Sequence, residues 1–349
     1  MLNGSSGQAW AQNDADSGSG GTLSTTHART GTHCFVMGTG TRPRLRRVFG
    51  AALQEVFLGY AMRCGALPTN ETSSGIISNA TSGGVCLFLL GDASNNSQAS
   101  IWLGTDGAII ARNRDTLLGR STPVVGSGAY NHFELFAAAG NGTSGALEVR
   151  VNEQTVLNLT GIDTVASANL EFSQFTVGAG SLANQDEQDY RFADFFCNDT
   201  VDDGSGCDTF IGDCKSALLQ FDGDTAQADF LKSAGTSGYE LLDLPIDDAG
   251  HIYDTTGTAR SDFTLADLPA NLTEILTARP FGRVKKDDAG TALFAPTLVS
   301  NGDKSVVTPQ PITTGFAYHD SNVPFDPDTG APWTPAALAA ALGVMERTA

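Results

Sequence analysis

Apolar and polar positions alternate with a period of two along much of this chain. In "GALEVRVNEQTVLNLTGIDT", residues 145–164, Leu147, Val149 and Val151 alternate with Glu148 and Arg150. A polar stretch at 152–154 follows, and Leu157 and Leu159 then alternate with Asn158 and Thr160. The pattern predicts a hairpin whose five aliphatic side chains share one buried face. Similar runs recur through the first 200 residues: "HCFVMG", "EVFLGYAMRCG", "GVCLFLLGD", "ASIWLG", "AIIARNRD", "HFELFAAAG", "LEFSQFTVGAG" and "YRFADFFCND". Turn residues separate them, among them "TDG" at 105–107, which supplies a position for positive φ. About ten short strands without a long amphipathic helix predict a two-sheet sandwich.

The pattern breaks at "NDTVDDGSGCDTFIGDC", residues 198–214. A chain of 349 residues exceeds what one core usually spans, so a domain boundary is placed there, near residue 204. Beyond it, "GYELLDLP", "FTLADLP", "TALFAPTLVSNGDKSVV" and "GFAYHDSNVPFD" are again β-like. Thr334 as N-cap, Pro335 at the first helical position and Gly343 as the stop predict one short helix, followed by a last strand "VMERT". The expected organisation is a flexible segment over 1–26, a jelly-roll sandwich over 27–204 and a smaller β-sandwich over 205–349.

Composition changes this picture in three ways. Forty glycines fit many tight turns, and a net charge of −19 argues against nucleic acid as a partner. "RPRLRR" at 42–47 reads as a strand end or loop set against an acidic surface. Residues 1–33 lack the basic start and apolar core of a secretion signal, and no run of apolar residues is long enough to span a bilayer. The expectation is a soluble chain without membrane insertion.

Candidate chemistry is sparse in the sequence. There is no phosphate-binding loop and no nucleophile elbow, and "GTGTRP" at 38–43 lacks the helix that a dinucleotide loop needs. The five histidines, His27, His33, His132, His251 and His319, stand far apart and read as surface or satisfied half-buried residues. Six cysteines show no Cys-x-x-Cys spacing, so neither zinc nor another cofactor is expected. Cys207 and Cys214 lie close enough to pair as a disulfide in an oxidising medium, and otherwise read as small hydrophobes. The acidic stretch 184–204 holds Asp186, Glu187, Asp189 and Asp194 without the paired-acid strand of a glycosidase. Asp194 is placed on the same alternation phase as Phe192 and Phe196.

The order of "ARTGTHCFVMG", "EVFLGYAMRCG", "SIWLGTDGAIIARNRDTLLGRST", "HFELFAAAGNGTSGALEVRVNEQTVLNLTGIDT" and "FTVGAGSLANQDEQDYRFADFFCND" resembles the concanavalin A-like (laminin-G/lectin-type) jelly roll. More narrowly, it resembles the version in structural proteins of tailed bacteriophages and gene transfer agents. The later segments "RVKKDDAGTALFAPTLVSNG" and "FDPDTGAPWTPAALAAALGVMERT" resemble the β-domain appended in those proteins. Cys197, Cys207 and Cys214 depart from that pattern.

The resemblance implies a virion component assembled in the host cytoplasm: a fibre, spike or decoration subunit on capsid or tail, bound to other virion proteins. It implies a homo-oligomer, a trimer before a dimer, with adhesion to a host surface glycan as an added role and no enzymatic activity. The candidate ligand-binding residues are Asn95 and Asn96 in the loop 91–98, and Asp186 and Asp189 in the loop 179–189, because loops at one end of a sandwich present amide and carboxylate groups to sugar hydroxyls. Two rival readings stay open, a free carbohydrate-binding lectin and a polysaccharide-degrading enzyme associated with a tail. The three tryptophans, Trp10, Trp102 and Trp333, are too scattered for a stacking platform, and Trp102 sits in a strand where core packing is its expected job.

Overall fold

A computed structural model describes residues 12–14, 17–18, 21–29, 34–37, 40–41, 44–71, 74–75, 84–179, 181–182, 189–200, 208–215, 217–242, 250–270 and 272–348. Among the described residues the chain is all-β, with antiparallel pairing and one short α-helix. It divides into two compact units, one spanning Trp10–Ser216 and one containing Ala217–Ala349.

The N-terminal unit is a jelly-roll sandwich of two seven-stranded sheets with a small three-stranded sheet beside them. Across the first large sheet the strands run Gln12–Asp14, Arg44–Leu53, Phe172–Ala179, Val85–Gly91, Ser97–Leu103, Ala108–Asn113 and Thr116–Pro123. Across the second they run Gln154–Ile162, Gly145–Val151, Tyr130–Ala138, Glu55–Arg63, Arg191–Asn198, Cys34–Met37 and Gly21–Ser24. One continuous apolar core joins Leu58, Tyr60, Phe133 and Leu135 of the second sheet to Leu87, Ile101, Ile109 and Phe175 of the first.

The hairpin expected at 145–164 forms with the expected phase. Leu147, Val149, Val151 and Leu157 are buried in the core and Leu159 packs against it, because alternate side chains of a strand leave on opposite faces. Its two-residue turn is made by Asn152 at φ +50 and Glu153 at φ +67, both in the left-handed region that the twist of such a turn requires. At the "TDG" turn Gly107 takes φ +86, and a Cβ there would lie 2.2 Å from the Val125 carbonyl oxygen, so only glycine fits. Trp102 is fully buried against Cys86 and Ile110, with its indole N–H donating to Ser100 Oγ at 2.9 Å. "RPRLRR" runs into the Arg44–Leu53 strand, where Arg46 donates to Asn95 Oδ1 at 2.6 Å.

The C-terminal unit is built on a six-stranded sheet that includes Phe221–Ala228, Ala259–Leu265, Leu342–Arg347 and Leu293–Ser300, with two two-stranded sheets besides. The helix spans Pro335–Ala340. Thr334 Oγ1 accepts from Ala337 N–H at 3.1 Å, so the expected cap and proline start are both present. Gly343 has a different job from the expected helix stop. It lies inside the last strand, where a Cβ would come within 2.2 Å of the Phe221 ring, and the helix ends instead at Ala341 in an extended conformation. Among the described residues no helix is long and apolar enough to cross a membrane.

Candidate functional site

The strand phase that puts Phe133, Leu135 and Ala137 into the core turns His132, Glu134 and Phe136 to the opposite face of the same sheet. Register then assembles rows across that face. Tyr130 stands beside Arg63 and Arg63 beside Arg191; His132 stands beside Ala61 and Ala61 beside Ala193. The next row is Phe196, Gly59, Glu134, Arg150 and Thr155, and after it come Asn198, Phe57, Phe136, Glu148 and Asn158. A sheet face mostly of polar and aromatic groups is unusual where the side chains are sealed from water, as His132 and Glu134 are.

A β-bulge shapes the middle of this face. Between Ala193 and Phe196 two residues, Asp194 and Phe195, oppose Tyr60 alone, and Asp194 takes φ +55. The extra residue reverses the alternation: Phe192 and Phe195 pack with the core, while Phe196 lies over Gly59 on the site face. Phe192 and Phe196 therefore do not share a face, contrary to the expectation from simple period two. Asp194 accepts a hydrogen bond from Arg29 at 2.8 Å, and its side chain is 2% exposed.

Residues 208–215 lie over the face as an irregular strap. Ile211 N–H and Gly212 N–H both donate to Glu134 Oε1, at 3.0 and 2.9 Å, and Asp213 N–H donates to Glu153 at 3.3 Å. The Asp213 carboxylate accepts from Arg29, which thereby joins the strap to Asp194. Phe210 sets its ring edge-on to Phe57 at 5.0 Å and receives the Arg150 guanidinium over its face at 3.8 Å.

Beneath the strap His132 Nδ1 lies 4.0 Å from Glu134 Oε2, with the two side chains 2% and 1% exposed. Among the described residues neither ring nitrogen of His132 and not Glu134 Oε2 has a hydrogen-bond partner. The imidazole stacks on Phe196 at 6.2 Å. Burial lowers the His132 pKa, so the ring is held neutral. Burial raises that of Glu134 against the two strap N–H groups that favour its charged form. Burial also pushes the Cys214 thiol up to about 12, with the Asp194 and Glu134 carboxylates adding to the shift. An imidazole and a carboxyl side by side, each displaced by burial in the direction that disfavours its charge, are groups able to exchange protons with a ligand. The histidine expected to be satisfied or on the surface is neither. The signal that could have found the pair is the His-x-Glu spacing in "HFELF", since a strand puts such residues on one face.

The candidates named from the loops do not gather at this pair. Asn95, at φ +62, accepts through Oδ1 from Arg46 and from Gln174 at 2.9 Å. Asn96 donates from Nδ2 to Asp92 Oδ2 at 2.9 Å. Asp92 is the hub of that loop. Burial alone would raise its pKa, but hydrogen bonds from Asn96, Asn169 and Ser167 outweigh it and hold the carboxyl at about 2. Asp189 bridges Arg63 at 2.7 Å and Arg191 at 2.7 Å, at the edge of the row that begins with Tyr130. Asp186 and Cys207 lie outside the described residues, and Cys214 is a free thiol, so the expected pairing of Cys214 in a disulfide is not present. Among the described residues no three His, Cys, Asp or Glu side chains are arranged to hold a metal ion.

No family model and no curated protein matches the sequence. Solved structures are similar to it over about half of the chain. An endo-β-1,4-glucuronan lyase from the fungus Trichoderma reesei is similar at 13% identity and a TM-score of 0.39, over 56% of this chain and 93% of that one. The alginate lyase Aly36B is similar at 15% identity and a TM-score of 0.28, over 46% and 80%. The metal-free carbohydrate recognition domain of Emp46p is similar at 10% identity and a TM-score of 0.33, over 51% and 87%. The likeness is one of jelly-roll fold, and nothing in it points to a phage. The expectation that the chain is not an enzyme is corrected: the similar structures include lyases, and the chain itself seals His132 beside Glu134.

Proposed function

We propose that the N-terminal unit binds a carbohydrate polymer on the outer face of its second sheet and acts on it through His132 and Glu134. The observation that carries this reading is the sealed pair itself. Buried polar atoms left without partners cost about 1 to 3 kcal/mol each, and a fold keeps them chiefly where a ligand or a reaction uses them. The rows around the pair suit a sugar chain. Strands lie about 4.8 Å apart and same-face residues about 6.6 Å apart along each strand, so the face offers a regular grid of polar and aromatic groups to an extended chain. Thr155 and Asn158 are exposed on that grid, with Glu148 and Arg150 half-buried beside them.

In the reaction, the imidazole of His132 takes a proton from a water whose oxygen bonds to the anomeric carbon. Glu134, its pKa raised by burial, gives a proton to the glycosidic oxygen as that carbon–oxygen bond breaks, so one water is consumed for each new chain end. The names borne by the neighbouring structures, glucuronan lyase, alginate lyase and carbohydrate recognition domain, agree in kind with this reading, which rests on the site and not on them. A host-adhesive subunit of a phage particle, assembled as a trimer, is the finer setting proposed for such a face. Finding the chain in purified particles by mass spectrometry is its test.

The test of the activity uses the purified full chain against a panel of neutral and uronate-containing polysaccharides, with retardation in polysaccharide gels for binding and new chain ends for cleavage. His132→Ala and Glu134→Gln are expected to keep retardation and lose cleavage. Neither retardation nor new chain ends with any polymer would overturn the proposal.

A further inference from the structure

The strap over the site has features that a permanent cover would lack. Among the described residues, none of 208–215 belongs to a strand, and its contacts with the sheet and the loops beside it are made to side chains: Glu134, Glu153, Arg29, Phe57 and Arg150. Detaching it would break none of the ladder bonds that hold the strands together, so its opening belongs to the low end of the local stability scale. What it covers is left unsatisfied. Among the described residues neither nitrogen of His132 has a hydrogen-bond partner, and Glu134 uses one oxygen only. A segment kept only to seal a polar face would be expected to supply those partners.

The contacts that the strap does make are those a sugar would offer. Two N–H donors point at the Glu134 carboxylate, as two hydroxyls would. An oxygen acceptor meets Arg29, and a flat ring lies between Phe57 and Arg150, where the apolar face of a pyranose fits. We propose that residues 208–215 are a displaceable plug, an internal stand-in that closes the His132–Glu134 site until a carbohydrate chain takes its place. The identity of that ligand rests on the function proposed above; the displacement of the plug does not.

The experiment is chosen to separate the two. Acylation of histidine by diethyl pyrocarbonate is followed by peptide mass spectrometry on the full chain without any sugar, at neutral pH, in wild type, Phe210→Ala and Asp213→Asn. His132 is expected to react slowly in wild type. Phe210→Ala should speed its reaction about tenfold and Asp213→Asn about threefold, the changes that losing a ring and cation–π contact or a half-exposed ion pair makes in an opening equilibrium. His319, buried in the other unit, is the control and should keep its rate. An unchanged His132 rate in both variants overturns the plug, and so does a parallel rise at His132 and His319, which would report general unfolding. Either result can occur whether or not the chain binds polysaccharide.

Discussion

His132 and Glu134, two positions apart on the Tyr130–Ala138 strand, sit 4.0 Å apart with their pKa values displaced in the directions that disfavour charge on each. The displacements have opposite consequences for stability. Above its ordinary value of 6.5, His132 is neutral folded or unfolded and adds no pH dependence. As the pH falls below that value the unfolded chain takes up a proton that the folded one refuses, so acid destabilises. Glu134 does the reverse: its cost is fully present above its raised folded value and fades as the pH falls toward 4.5. The measurement is denaturant unfolding of wild type and His132→Asn between about pH 7.5 and 5.5. Wild type should lose stability relative to the variant on acidification. Parallel curves would mean that His132 is not held neutral.

Gly59→Ala tests the shape of the bulge. A Cβ at Gly59 would stand 2.1 Å from Phe196 Cε1, so the ring must leave its place over the sheet and its stack on His132. The expected cost is about 1 to 3 kcal/mol, the range for overpacked sites. A change in the imidazole resonances of His132 should accompany it. Unaltered stability together with unaltered resonances would contradict the placement of Phe196.

Asp92→Ala should loosen the loop that holds Asn95 and Asn96. Its carboxylate accepts from Ser94 N–H at 2.9 Å, Asn96 N–H at 2.8 Å and Asn169 Nδ2 at 2.8 Å, and the groups it leaves behind would lose their acceptor. With the pKa at about 2 against an ordinary 3.8, ionised Asp92 contributes on the order of 2 kcal/mol above pH 4. That contribution is fully present above 3.8 and is lost as the pH falls toward 2. Thermal unfolding at neutral pH checks the first effect. NMR titration of the Asp92 carboxyl checks the second, and a midpoint near 4 would refute it.

Val149→Asp and Glu148→Gln test the hairpin phase. Val149 is fully buried, and an unpaired carboxylate there should unfold or insolubilise the N-terminal unit. Glu148 is partly exposed and accepts from Arg150 at 2.8 Å and Thr155 at 2.9 Å, bonds that an amide oxygen largely keeps, so its change should cost below about 0.5 kcal/mol. Soluble expression and thermal midpoint give the answer. Equal tolerance at both positions would place the strand the other way up.

The sequence by itself determined what local alternation can encode. Leu147, Val149 and Val151 face inward because every second residue of a strand must, and Thr334 with Pro335 starts the helix because the first turn needs an acceptor and tolerates a missing N–H. The same alternation already held His132 and Glu134 on one face. It could not tell that face from a solvated one, since what seals it is a strap 77 positions away from Glu134, and no periodic pattern reports a contact across that distance. The bulge at Asp194 escaped for a related reason. One extra residue reverses the phase of everything after it, and the decision to insert it is made by packing: Tyr60 and Phe195 meet in the core, and Phe196 drops onto the glycine opposite. Asn95 and Asn96 looked available because they are polar and lie in a loop. Only the folded chain brings Arg46, Gln174 and Asp92 close enough to take up their hydrogen bonds.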